Sequence, residues 1–165
     1  MHPTRNNPAL HRVTDRLYFG GLGAGHRAVP DAAVVHACKD PCHRQALGYQ
    51  KSLGPAHPNY LGYEQNLHLY LNIVDPSTPL FTPESFKIFL EFTDRHITDR
   101  PVVIHCNQGL SRAPSLALLY MAKRLQLLPN TNYAAARSAF EEQFPYSPGK
   151  GIESFLSAHW ASLEE

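Results

Sequence analysis

An excess of charge of either sign is missing: 15 Lys and Arg stand against 14 Asp and Glu in 165 residues. A chain so balanced indicates neither nucleic acid nor an anionic membrane as its default partner, and any anion recognition has to be local. Cysteine is scarce too. Cys38, Cys42 and Cys106 are odd in number and unevenly spaced, which excludes the disulfide frame of a secreted mini-protein and points to a reducing, cytoplasmic setting. No apolar run approaches the length that crosses a bilayer, and the N-terminal MHPTRNNPALHR has no apolar h-region, so the expectation is a soluble chain without a membrane partner. Repeats and low-complexity tracts are absent, and proline and glycine are spread along the chain instead of marking a linker. A single domain over 1–165, monomeric and carrying one site, is the expectation.

What is present reads as alternating strands and helices. RLYFGG around Tyr18, AAVVHAC at 32–38 and LHLYLNIV at 67–74 are short apolar runs bounded by turn residues, the pattern of strands. Residues 39–66 read as a long connection with room for a short helix. Thr82 followed by Pro83 predicts a helix start, with Phe86, Phe89, Leu90 and Ile97 at helical spacing to about residue 98. PVVIH at 101–105 is a β-branched run of the kind found in buried central strands. A helix carrying Leu116, Leu119, Tyr120 and Leu127 on one face follows at once, and two more are expected near 131–144 and 149–163. The fold class is therefore α/β, a central mixed sheet flanked by helices.

The sharpest signal is IHCNQGLSRAP, residues 104–114, between the buried strand and its helix. A strand that turns abruptly into a helix aims unpaired N–H groups and the positive dipole end at the turn, which suits phosphate. Gly109 gives the freedom for a tight loop, and the fork of Arg112 matches two phosphate oxygens. The same positive environment favours a thiolate on Cys106, a competent nucleophile. The backbone and side chains of Asn107, Gln108, Gly109, Leu110, Ser111 and Arg112 form the expected phosphate cradle, and His105 is expected to order the loop rather than act as a base.

HACKDPCHR at 36–44 raises the question of metal, since Cys-x3-Cys flanked by His36 and His43 contains zinc-ligand types. A strand through VVHAC puts His36 and Cys38 on one face, the chain bends at Lys39–Pro41, and no second ligand pair at zinc spacing appears. The expectation is no metal and no cofactor.

Cys-x5-Arg at a strand-to-helix turn after a histidine is similar to the signature of the cysteine-based protein tyrosine phosphatase superfamily, and HCNQGLSRAP resembles its dual-specificity branch. RVTDRLYFGG, NLHLYLNIVDP and FPYSPGKGIESFLSAHW extend the resemblance over most of the chain. It implies hydrolysis of phosphate monoesters through a phosphocysteine, with Cys106 and Arg112 as catalytic residues. It also implies a general acid on the loop after the third strand, where Asp75 stands 31 residues before Cys106; Asp94 and Asp99 read as surface charges.

The family places Ser or Thr after the arginine to ease thiolate departure, and this chain has Ala113, with Ser111 and Ser115 as the nearest substitutes. The resemblance further sets Cys38 or Cys42 beside Cys106 as a reversible disulfide partner, or Lys39, His43 and Arg44 at the entrance as anion contacts. The neutral Asn107 and Gln108 weigh against a phosphoinositide. Three readings stay open: a phosphatase of phosphotyrosine or phosphoserine/threonine in proteins, a phosphatase of RNA 5′ ends or a small phosphorylated molecule, and a phosphopeptide-binding module without turnover.

Overall fold

The computed structural model describes residues 10–21, 29–78 and 81–163. The initial MHPTRNNPA, with His2, and the segment containing His26 lie outside them. Six strands, β1 (His11–Thr14), β2 (Leu17–Gly20), β3 (Ala33–His36), β4 (Gly62–Gln65), β5 (His68–Leu71) and β6 (Val102–His105), form one sheet in the order β1-β2-β6-β3-β5-β4. The four inner strands run parallel and the two edge strands antiparallel, so the mixed α/β sheet expected from sequence is present.

Strand β6 sits between β2 and β3 with all four residues buried, as its β-branched run requires. β2 and β3 both precede β6 in the chain, which returns from the far edge of the sheet to lie between them, and its carboxyl end opens into the crevice where α/β sheets bind ligands. Cys106 is the next residue.

Beyond a short helix α1 (Arg44–Leu47), four helices complete the fold: α2 (Pro83–His96), α3 (Arg112–Lys123), α4 (Tyr133–Glu141) and α5 (Lys150–His159), the last continued by a tight turn Trp160–Leu163. Thr82 is the extended residue before Pro83, as predicted, although its hydroxyl faces Ser85 Oγ at 3.5 Å instead of a backbone N–H. Asn132 caps α4 by accepting the Ala135 N–H at 2.8 Å. Phe86, Phe89 and Leu90 of α2, the inner face of α3, Phe140 of α4, and Ile152, Phe155 and Leu156 of α5 join the sheet in one apolar cluster. Each such side chain contributes about 1.5–3 kcal/mol on burial. None of the helices among the described residues is long and apolar enough to cross a membrane.

One expectation needs correction. Residues 39–66 are not all connection: Gly62–Gln65 forms β4, paired with β5 from Gly62 opposite Leu71 to Gln65 opposite His68. The expected short helix is present as a wide helical turn, Lys39–His43, leading into α1.

Candidate active site

The turn from β6 into α3 is held by the backbone of β2. Cys106 N donates to Gly20 O at 3.2 Å, and Gly109 takes φ +76°. A Cβ on Gly109 would stand 2.5 Å from Gly21 N and 2.7 Å from the Gly20 carbonyl carbon. Glycine is therefore required here twice, for the left-handed backbone and for the close approach. This packing brings Gly109 N within 3.2 Å of Cys106 Sγ, to which it donates. The thiol is 2% exposed, at the N-terminal end of a twelve-residue helix whose dipole favours negative charge.

Arg112, the first residue of α3, returns over the loop. One terminal nitrogen donates to Ile73 O at 3.0 Å and the other to Asn107 Oδ1. Its buried Nε has no hydrogen-bond partner among the described residues, which leaves one donor of the fork uncommitted. Asn107 completes the brace, donating Nδ2 to Asp40 O at 3.0 Å. The Asn107 side chain thus holds the guanidinium, a role beyond the cradle contact expected of it.

Asp75 enters the same pocket. A cavity of about 240 Å³ is lined by Asp75, Cys106, Asn107, Gln108, Ser111 and Arg112, so the three expected catalytic side chains share one space. Leu110 faces outward, 39% exposed, and contributes its carbonyl to Ser147 N at 2.8 Å.

The acid loop rests on the start of α5, a support that sequence reasoning missed. A Cβ on Gly149 would fall 2.3 Å from Asp75 Oδ1, and one on Gly151 2.3 Å from Thr78 O; Gly151 N donates to Pro76 O at 3.2 Å. The same segment grips the phosphate loop, because Gly149 N donates to Ser111 Oγ at 2.9 Å. Residues 147–151 thus tie acid loop and phosphate loop together. The only sequence signal was the pair of glycines in SPGKG, whose partners are distant in the chain. Replacing Gly149 by alanine is expected to displace the Asp75 carboxylate.

Ser115 Oγ is committed to Tyr146 OH at 2.7 Å, and Tyr146 OH to Tyr133 OH at 2.8 Å. Burial pushes the Tyr146 phenol well above its ordinary pKa, so the chain stays uncharged. Ser111 Oγ is held by Gly149 N, and Ala113 is fully buried. Of the two hydroxyls near the position after Arg112, that of Ser115 is committed to Tyr146, while Ser111 accepts from Gly149 and lines the cavity with Cys106.

The cluster at 36–44 departs from expectation. Cys38 and Cys42 are bonded to each other, with Cα atoms 5.6 Å apart across the turn, and Cys106 is free. Pairing of either with Cys106 is thus not what forms: the turn brings the two neighbours within disulfide reach, while Sγ of Cys106 lies under Gly109.

His43 is turned inward rather than lining the entrance, its ring nitrogens 2.7 Å from Tyr49 OH and 2.9 Å from Asn59 O, and burial lowers its pKa. Arg44 pairs with Asp40, and Lys39 lines a separate cavity of about 230 Å³ with Tyr60, Asn72 and Thr82. The His105 ring lies 2.7 Å from His36 Nδ1 and 3.5 Å from the Cys106 carbonyl.

No protein-family model and no curated protein matches the sequence. Solved structures do. Human DUSP28 superposes with a TM-score of 0.65 at 16% identity, covering 96% of this chain and 97% of its own. The human tyrosine phosphatase-like serine/threonine/tyrosine-interacting protein gives 0.64 at 16% identity, covering 93% and 97%. The PTP-2 phosphatase of Cydia pomonella gives 0.60 at 18% identity, covering 91% and 89%. At these identities the likeness is one of architecture, and the chain has the fold of the dual-specificity, cysteine-based protein tyrosine phosphatases.

Proposed function

We propose that the chain is a cysteine-dependent phosphatase that hydrolyses phosphate monoesters, acting on phosphotyrosine and phosphoserine/threonine of proteins. The observation that carries this reading is the shared pocket: a buried thiol at a helix N-terminus, an arginine with a free Nε and an aspartate, all lining about 240 Å³. Cys106 Sγ, as thiolate, attacks phosphorus, and the P–O bond to the leaving group breaks as Asp75 delivers a proton to that oxygen. Arg112 and the loop amides hold the equatorial oxygens. Water then attacks the phosphocysteine, Asp75 takes its proton, and the S–P bond breaks to release inorganic phosphate and the thiolate.

Asp75→Asn tests the acid. The variant is expected to lose about 10²–10³-fold in kcat/KM, which reports the first step, on phenyl phosphate and much less on a nitrophenyl ester, whose leaving group needs no proton. An equal loss on both esters would remove Asp75 from the role.

A phosphopeptide-binding module is the second reading, favoured by Ala113 and by the engagement of Ser115 with Tyr146. A wild type inert toward every aryl phosphate yet binding vanadate would select it.

A further inference from the structure

Outside the catalytic pocket, strand pairing collects a second group of reactive side chains. His36 ends β3 and His105 ends β6, and the two are register partners. Their rings meet edge to face, with His36 Nδ1 2.7 Å from His105 Nε2. Cys42, from the turn after β3, completes a group whose donor atoms all lie within 4.8 Å of one another. All three residues are buried and line a cavity of about 340 Å³ that shares no residue with the catalytic one.

The far sides of both rings are also occupied. His36 Nε2 faces His68 Nδ1 at 2.9 Å, and His105 Nδ1 faces the Cys106 carbonyl at 3.5 Å. Outer partners of this kind orient metal-bound imidazoles and fix their tautomers. The bond from Cys42 to Cys38 is what keeps the third donor from acting as a ligand, since the thiolate binds metal.

We infer that reduction of the Cys38–Cys42 bridge opens a site for a borderline-soft divalent cation of the zinc type, held by Cys42 Sγ, His36 Nδ1 and His105 Nε2, and that oxidation of the two cysteines by a small-molecule disulfide, which takes up their two electrons and leaves as two thiols, re-forms the bridge and expels the ion. Two imidazoles and a thiolate are a donor set that selects zinc over magnesium or calcium. In a tetrahedral site with Zn–N near 2.0–2.1 Å and Zn–S near 2.3 Å, donor atoms stand roughly 3.3–3.8 Å apart. The group reaches that spacing by a shift of about 1 Å in Cys42 once it leaves Cys38, together with a rotation of the two imidazoles that parts His36 Nδ1 and His105 Nε2 from 2.7 Å to roughly 3.3 Å.

The chemistry balances. A dithiol or phosphine reductant supplies two electrons and, with two protons, turns the S–S bond into two thiols while it is itself oxidised. Zinc then displaces one proton from the Cys42 thiol. The proton bridging the two imidazoles moves to the far nitrogen of its ring, His68 exchanging its own with solvent where needed, so each ring stays neutral.

The test uses the full chain, reduced with a phosphine and stripped of metal, titrated with zinc against a chromophoric chelator and with cobalt followed by absorption. The expected result is one ion per chain, with tetrahedral cobalt bands and thiolate-to-cobalt charge transfer. Re-oxidation of the bridge or Cys42→Ser should weaken binding about a hundredfold or more, and His68→Phe about tenfold. Cys38→Ser, which leaves Cys42 permanently free, should bind without any reductant. Cys106→Ser should bind like the wild type. Binding of equal strength in Cys42→Ser and Cys38→Ser would overturn the assignment, as would loss of the ion in Cys106→Ser, which would make the catalytic thiol the ligand. None of these readouts depends on phosphatase turnover.

Discussion

Cys106→Ser is expected to lower aryl phosphate turnover by about 10⁴-fold or more, the scale on which removal of a nucleophile acts. The substitution changes one buried atom, so the loop has no steric reason to rearrange; Gly109 N can donate to the new hydroxyl as it does to sulfur. What is lost is the sulfur nucleophile: a serine hydroxyl is far weaker and needs an adjacent base, and the proposed mechanism commits Asp75 to the leaving group. The loss should fall on kcat, with vanadate affinity and the unfolding midpoint close to wild type. Those two controls separate a dead nucleophile from a collapsed loop.

Arg112→Lys should cost about 10²–10³-fold in kcat/KM despite keeping the charge. The guanidinium performs three tasks at once. It spans Ile73 O and Asn107 Oδ1, which fixes its plane between the acid loop and the phosphate loop, and it leaves Nε for an anion. An ammonium on a flexible stem cannot hold both carbonyl acceptors and still offer a fork to phosphate. Vanadate binding should weaken with turnover, in contrast to Cys106→Ser. If lysine restored full activity, the bidentate clamp would be wrong and only a positive charge would be needed.

The elements that position the nucleophile are the ones the chain writes locally. PVVIH cannot face water on either side, and Cys106, Gly109 and Arg112 follow it at fixed spacing, so strand, loop and helix are legible together. Asp75 is legible as the end of an apolar strand before a Pro-rich loop. Strand β4 is not, because GYEQ has no apolar alternation: Glu64 and Gln65 are exposed, and the segment becomes a strand by pairing with β5.

Long-range relations were also out of reach. The contact of Gly149 with Asp75 joins residues whose distance in the chain gives no hint of it. The meeting of His36 and His105 follows from β3 lying beside β6. A search for a second zinc-spaced pair along the sequence could not find a ligand delivered by strand register. The Cys38–Cys42 bridge depends on the turn between them, which brings Cα atoms four residues apart to 5.6 Å, a closeness that spacing alone does not specify.

The phosphocysteine is the centre of the account, and rapid acid quench followed by peptide mass analysis tests it most directly. With Ala113 after Arg112 and Ser115 committed to Tyr146, departure of the thiolate is expected to be the slow step. The wild type mixed with an aryl phosphate should release a burst of phenol equal to the enzyme concentration, with one phosphoryl group on the peptide containing Cys106. Steady turnover with no adduct at any quench time, unchanged after alkylation of Cys106, would contradict the mechanism.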